Sequence, residues 1–269
     1  MHESSQVSPR IFAVANQKGG VGKTTTAVNI ATAFSAIGHN VLLIDMDPQG
    51  NAGTGLGVQR SSVKKSVYDV LFDQSSITDA IIKTKLPRLS IMPSSVHLSG
   101  ADIELSQAKG REARLKNALK HIELYDYIFI DCPPSLNFLT INALVAAQSI
   151  IVPLQCEFYA LEGLTQLTKT VKLVHKHYNS NLDIHGIVLT MYDKRNRITK
   201  SVEQDVRGYF KDKVYNTTIP RNVRLSEAPS FGLPALVYDM KSSGAQAYIK
   251  LAREILNDEN EHSKKAEVA

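Results

Sequence analysis

Solid apolar runs alternate along the chain with stretches of helical period. IFAVAN (11–16), VLLID (41–45), LSIMP (89–93), DYIFID (126–131), SIIVPL (149–154) and IHGIVLTMYD (184–193) read as strands. Between and after them, helices are expected over Thr24–Ile37, near Arg111–Ile122, from Asn137, over Glu162–Tyr178 and over Gly244–Leu256. Strands that are continuously Val, Ile and Leu, rather than alternating with polar residues, belong in a parallel sheet covered on both faces. Leu161, Leu164, Leu167, Val171 and Val174 recur at spacings of three and four, and Ala245, Ile249, Ala252 and Leu256 form a similar stripe, so each helix has one face to bury. The expected fold is a doubly wound α/β domain, its sheet mostly parallel, with helices on both faces and right-handed crossovers. Ligands in such a fold sit beyond the carboxyl ends of the strands. The domain is expected to span 11–256, after a flexible N-terminus (1–10) and before a polar, fraying C-terminal tail (257–269).

Composition narrows the class without changing that picture. With 269 residues, 43% hydrophobic and 21% charged, the chain has an ordinary globular make-up, which excludes disordered and collagen-like classes. Two cysteines, Cys132 and Cys156, cannot build a disulfide framework or a four-ligand metal centre, which points to a reducing cytoplasm. Residues 1–10 lack the apolar run of a signal peptide, and no stretch approaches the roughly 18 apolar residues of a membrane span.

The chemistry begins directly after the first strand, at Gln17-Lys18-Gly19-Gly20-Val21-Gly22-Lys23-Thr24-Thr25, where a helix also begins. Three glycines let the backbone wrap so that successive N–H groups and the positive helix end face phosphate oxygens. Lys23 then reaches the β and γ phosphates, and the Thr24 hydroxyl is a ligand for Mg²⁺. Gln17 stands where the standard motif has glycine and Lys18 stands beside it, so this is a variant phosphate loop. Two strands end in carboxylates, Asp45-Met46-Asp47-Pro48-Gln49-Gly50-Asn51 and Asp131-Cys132-Pro133-Pro134-Ser135. Asp131 takes the place of the carboxylate that holds Mg²⁺ through water in phosphate-loop enzymes.

At these residues the chain resembles the ParA/Soj chromosome-partitioning ATPases, within the deviant Walker-A group that includes MinD and the nitrogenase iron protein. KGGVGKTT (18–25), DMDPQGN (45–51), IDCPPS (130–135), VPLQCEFYALEG (152–163), TMYD (190–193) and IPRNVRLSEAPSFG (219–232) carry the likeness, which runs from about residue 10 to 256. The resemblance implies ATP and Mg²⁺ as cofactors and ATP-dependent sandwich homodimers, in which Lys18 reaches the nucleotide of the opposite subunit. It implies that Asp47 orients the attacking water with Asp45 beside it, that Glu157 touches nucleotide across the dimer, and that Pro220 and Asn222 lie at the adenine. Cys132 stands where relatives often carry a smaller residue, and the glycine-flanked cysteines of the iron protein are missing.

Charge adds one further expectation. Between Lys194 and Arg224 nine Lys/Arg face three acids, so this window carries +6 in a chain of +5. No recognition-helix or aromatic pattern accompanies it, so DNA contact is expected to be to phosphates, without sequence preference. The resemblance puts that contact on Arg224 and Arg195, with Lys200 and Arg221 as further candidates, and implies nucleoid association and a ParB/Spo0J-like protein that stimulates hydrolysis. Residues 257–269 carry four acids, two lysines and almost no apolar side chain, unlike the basic amphipathic helix that ends MinD, so no membrane partner is expected. The competing readings are an ATP-switched regulator of replication initiation or transcription, and a small-molecule kinase or synthetase.

Overall fold

The computed structural model describes residues 8–268 apart from His121. In chain order the elements are β1 (Arg10–Val14), α1 (Lys23–Ala36), β2 (Val41–Asp45), α2 (Asn51–Gly55), α3 (Val67–Leu71), α4 (Ile77–Ala80), β3 (Ile82–Lys83) and β4 (Leu89–Met92). There follow α5 (Ala101–Leu105), α6 (Arg114–Leu119), β5 (Tyr127–Asp131), α7 (Phe138–Ala146), β6 (Ser149–Gln155) and α8 (Ala160–His177). The chain closes with β7 (Asp183–Thr190), α9 (Arg197–Phe210), α10 (Val223–Glu227), α11 (Ala235–Tyr238) and α12 (Ser243–Val268). Seven strands lie in the order β3-β4-β2-β5-β1-β6-β7, all parallel except the two-residue edge strand β3, which pairs antiparallel with β4. The expected doubly wound, mostly parallel sheet is therefore present.

The continuous apolar character of the strands follows from two cores. In β1, Ile11 and Ala13 face one layer while Phe12 and Val14 face the other; in β2, Leu42 and Ile44 oppose Val41 and Leu43 in the same way. One core is closed by α3 and α5 to α8, the other by α1 and α12, so both parities of each strand are buried. Each fully buried Ile, Leu or Phe contributes about 1.5–3 kcal/mol, which is why alternation is suppressed. α8 buries Leu164, Leu167, Val171 and Val174 on the predicted stripe.

Several boundaries differ from the sequence pattern. β7 stops at Thr190, because Met191 turns into the left-handed region at φ 48°. The charged helix near 111–122 shrinks to Arg114–Leu119. Instead of fraying at Asn257, α12 runs on to Val268. Arg10 of β1 holds it there, donating to the Glu259 carboxylate at 2.7 and 3.0 Å and to the Ser149 hydroxyl at 2.7 Å. Of the N-terminus expected to be flexible, residues 1–7 lie outside the described residues, whereas Arg10 is a strand residue.

Candidate active site

The site is built where β1, β5 and β2 end side by side. Parallel register sets Val14 opposite Asp131 and Asp131 opposite Asp45, so two strands deliver carboxylates to one edge. Beyond Val14 the chain makes the phosphate loop. Gly20 and Gly22 take left-handed φ of 75° and 88°, which a side chain would resist, and Gly22 caps α1 without any side-chain acceptor. The first N–H groups of α1 are thus left for an anion. The loop is held from behind: the Thr190 hydroxyl at the end of β7 donates to the Val21 carbonyl at 2.8 Å. Asn16 donates to the Pro153 carbonyl at 2.7 Å and accepts from the Lys18 N–H at 3.1 Å.

Within this frame Lys23 is only 6% exposed, and its ammonium donates to the Lys18 carbonyl at 3.0 Å. Burial lowers its pKa, opposed by the neighbouring acids, Asp131 first. Asp131 is fully buried and its pKa is raised well above the usual carboxylate range, first by desolvation and then by the charge of Asp45. Neither Asp131 oxygen is engaged in a well-formed hydrogen bond; the Thr24 hydroxyl is near enough only to offset part of that rise. A buried, orphaned carboxylate beside a threonine hydroxyl is a fitting donor set for a hydrated Mg²⁺ that takes its other oxygens from phosphate. Asp45 is likewise buried and pushed up to about 7 by desolvation, while N–H groups of Gly53 at 3.1 Å and Asp47 at 3.2 Å pull the other way. It therefore anchors the loop that follows β2 and the start of α2. Asp47 is the next carboxylate along that loop; its Oδ1 accepts the Gln49 N–H at 2.9 Å.

Lys18 behaves differently from Lys23. Its ammonium pairs with the Glu157 carboxylate, and both side chains are more than a third exposed. The two residues implied to act across a dimer thus hold each other at the rim, next to the exposed rings of Phe158 and Tyr159. Pro220 and Asn222 reach the same end of the sheet through a bridge between Tyr192 and Pro220. Asn222 caps α10 by accepting the Arg224 N–H at 2.9 Å, and its amide donates to Ser243 at 2.8 Å. The sequence reading missed Asn16 and Thr190 as loop supports. Thr190 opens the TMYD motif, but Asn16 carried no signal, since its partner Pro153 is 137 residues away.

The nine cations of the basic window are spread over more than one face of the fold. Lys213 donates to Asp183 and to the Ile184 carbonyl, both at 2.8 Å, at the opposite end of β7 from Arg195. Arg207 is spent on Glu203 and on the Val214 and Tyr215 carbonyls. Arg195, Lys200, Arg221 and Arg224 stay exposed, on segments that follow β7 or bridge to it through Tyr192 and Pro220. Two of them are internally paired, Arg195 with both oxygens of Asp193 and Arg224 with Glu227 and Asp239.

A family model described as an AAA domain matches residues 9–184. The chromosome partitioning protein ParA of Caulobacter vibrioides (strain NA1000 / CB15N) is 55% identical over 260 residues, 96% of this chain and 97% of that one. The chain belongs to the ParA/Soj family. Another member, the sporulation initiation inhibitor protein Soj of Bacillus subtilis (strain 168), is 53% identical over 91% of this chain and 98% of its own. Among solved structures, cobyrinic acid a,c-diamide synthase from Mycobacterium smegmatis, with bound ATP analog and magnesium, superposes with a TM-score of 0.81. It is 38% identical, over 92% of this chain and 94% of that one. This ParA/Soj chain shares with it the architecture of a phosphate-loop ATPase fold. No helix among the described residues is long and apolar enough to cross a membrane.

Proposed function

We propose that the chain is a Mg²⁺-dependent ATPase that partitions a chromosome or plasmid: ATP joins two copies into a sandwich dimer, the dimer binds DNA without sequence preference, and hydrolysis stimulated by a ParB/Spo0J-like protein releases it. The protein then works in the cytoplasm, on the nucleoid. The observation that carries this reading is the division of labour between two lysines of one loop. Lys23 is buried beside the Asp131 and Asp47 carboxylates, whereas Lys18 sits at the rim on Glu157. A site completed only when a second copy delivers its Lys18 is one whose hydrolysis is switched by assembly, because phosphoryl transfer depends mainly on positioning and charge neutralisation. The exposed Phe158 and Tyr159 beside that lysine suit a protein interface. Thr24 and Asp131 would hold Mg²⁺, which neutralises phosphate charge when bound.

Lys18→Ala is accordingly expected to bind Mg·ATP as a monomer with near-normal affinity, while DNA- and ParB-stimulated turnover falls by at least about 100-fold. Calorimetry and phosphate release measure the two effects separately. Normal stimulated turnover would remove Lys18 from the mechanism.

DNA contact is assigned to the cations that stay exposed around the end of β7. Solvent-exposed ion pairs such as Arg224–Glu227 are weak and exchange readily for phosphate. Two copies of the surface in one dimer raise the effective concentration for the second contact, so ATP rather than ADP should give measurable binding. Arg224→Glu is expected to weaken binding to all duplex sequences alike and to flatten the log–log salt dependence by about 0.9 for each phosphate no longer neutralised, with ATP-induced dimerisation intact. A salt titration that gives unchanged affinity and slope would move the DNA surface elsewhere.

One assay separates the alternatives. Under the partitioning reading, duplex DNA and a ParB-type peptide together raise ATPase activity. A regulator of initiation or transcription would bind its partner without that stimulation. A small-molecule kinase or synthetase requires a small-molecule substrate to raise turnover instead. Greater identity to the Caulobacter vibrioides and Bacillus subtilis proteins, over nearly the whole of each, favours partitioning.

A further inference from the structure

A second cavity, of about 310 Å³, lies against the loop that carries Asp47, with Pro48, Gly50, Arg60, Lys64, Ser94 and His97 in its wall. Arg60 packs over Gly50 so closely that a Cβ on the glycine would meet the guanidinium at 3.3 Å. Among the described residues, Arg60, Lys64 and His97 make no ion pair and no side-chain hydrogen bond. Asp69, an acid in the wall, is already engaged: it accepts from the N–H and the hydroxyl of Ser66, each at 2.9 Å, and from Lys65 at 3.4 Å.

We propose that this cavity is a binding site for an oxyanion, a phosphate or carboxylate group distinct from the phosphates of the nucleotide. A guanidinium fork and an ammonium sharing one wall without a carboxylate paired to either present two cations, and a doubly charged or bidentate anion satisfies them best, with the His97 imidazole as a further polar contact. The packing of Arg60 over Gly50 holds its guanidinium at this wall, next to the loop. An occupant touches Pro48 and Gly50, hence the loop holding Asp47. Any effect of occupancy on turnover rests on the ATPase reading above; the binding itself does not.

The test uses the full chain saturated with Mg²⁺ and a non-hydrolysable ATP analogue, so that the phosphate loop is filled. Inorganic phosphate is titrated by calorimetry, and a hexaglutamate peptide in parallel. Saturable one-to-one binding is expected, weakened at least about tenfold in the double variant Arg60→Gln/Lys64→Gln. Both side chains are exposed, so their loss leaves the fold intact. Tighter binding of phosphate identifies a free anion as the ligand, and tighter binding of the peptide identifies an acidic segment of another protein. Absence of saturable binding by both anions, or equal affinity in wild type and double variant, overturns the site. Failure of the analogue to bind counts against the nucleotide site instead, because wild type and double variant are still compared in one background.

Discussion

Lys23→Ala is expected to abolish Mg·ATP binding at micromolar concentrations. The ammonium is the cation placed inside the loop, where it now spends one hydrogen on the Lys18 carbonyl and is surrounded by buried carboxylates. A charge-assisted hydrogen bond to phosphate in a desolvated site is worth about 1.5–3 kcal/mol. Removing the lysine also leaves incoming phosphate facing Asp131 and Asp47 with no loop cation to offset them. Both effects have the same sign, so affinity falls by more than the lost bond alone. Calorimetry with ATP and Mg²⁺ measures the loss, and thermal unfolding without nucleotide separates it from misfolding. A folded variant with wild-type affinity would show that the nucleotide site lies elsewhere.

How much of this was legible in the sequence depends on range. The strand ends that carry Asp45 and Asp131 could be read because both faces of the sheet are buried, which writes a solid apolar run that stops at a polar residue. The phosphate loop was legible because its chemistry is contiguous. Helices α2 to α5, of four or five residues, and the two-residue β3 are too short to display a period. α9 buries Thr199, Val202 and Val206 at helical spacing, but its cations drew the reading toward charge instead of packing. The extension of α12 was invisible for another reason: Arg10 and Glu259, which fix it, are 249 residues apart. The distribution of the basic window in space was not legible, because linear charge does not register that the eight residues of β7 carry Lys213 and Arg195 to opposite ends of the sheet.

Asp47→Ala is expected to leave Mg·ATP bound while turnover falls by at least about 100-fold, the lower range for losing a group that positions or activates a nucleophile. Asp45 and Asp47 are close in sequence but not in role. Asp45 is fully buried and accepts N–H groups from Gly53 and Asp47, so its loss would unpin the loop. Asp47 is 8% exposed and among the described residues accepts only the local Gln49 N–H, which leaves its second oxygen open to a water at the phosphate. With hydrolysis stopped and nucleotide retained, ATP-bound dimers should accumulate and elute early in size-exclusion chromatography. Asp47→Asn keeps an acceptor for the Gln49 N–H but removes the charge. If the loss came from a collapsed turn, asparagine would restore turnover; if it comes from water activation, both variants stay inactive and dimeric. A variant saturated with ATP yet purely monomeric, or one that hydrolyses normally, would take the water-orienting role away from Asp47.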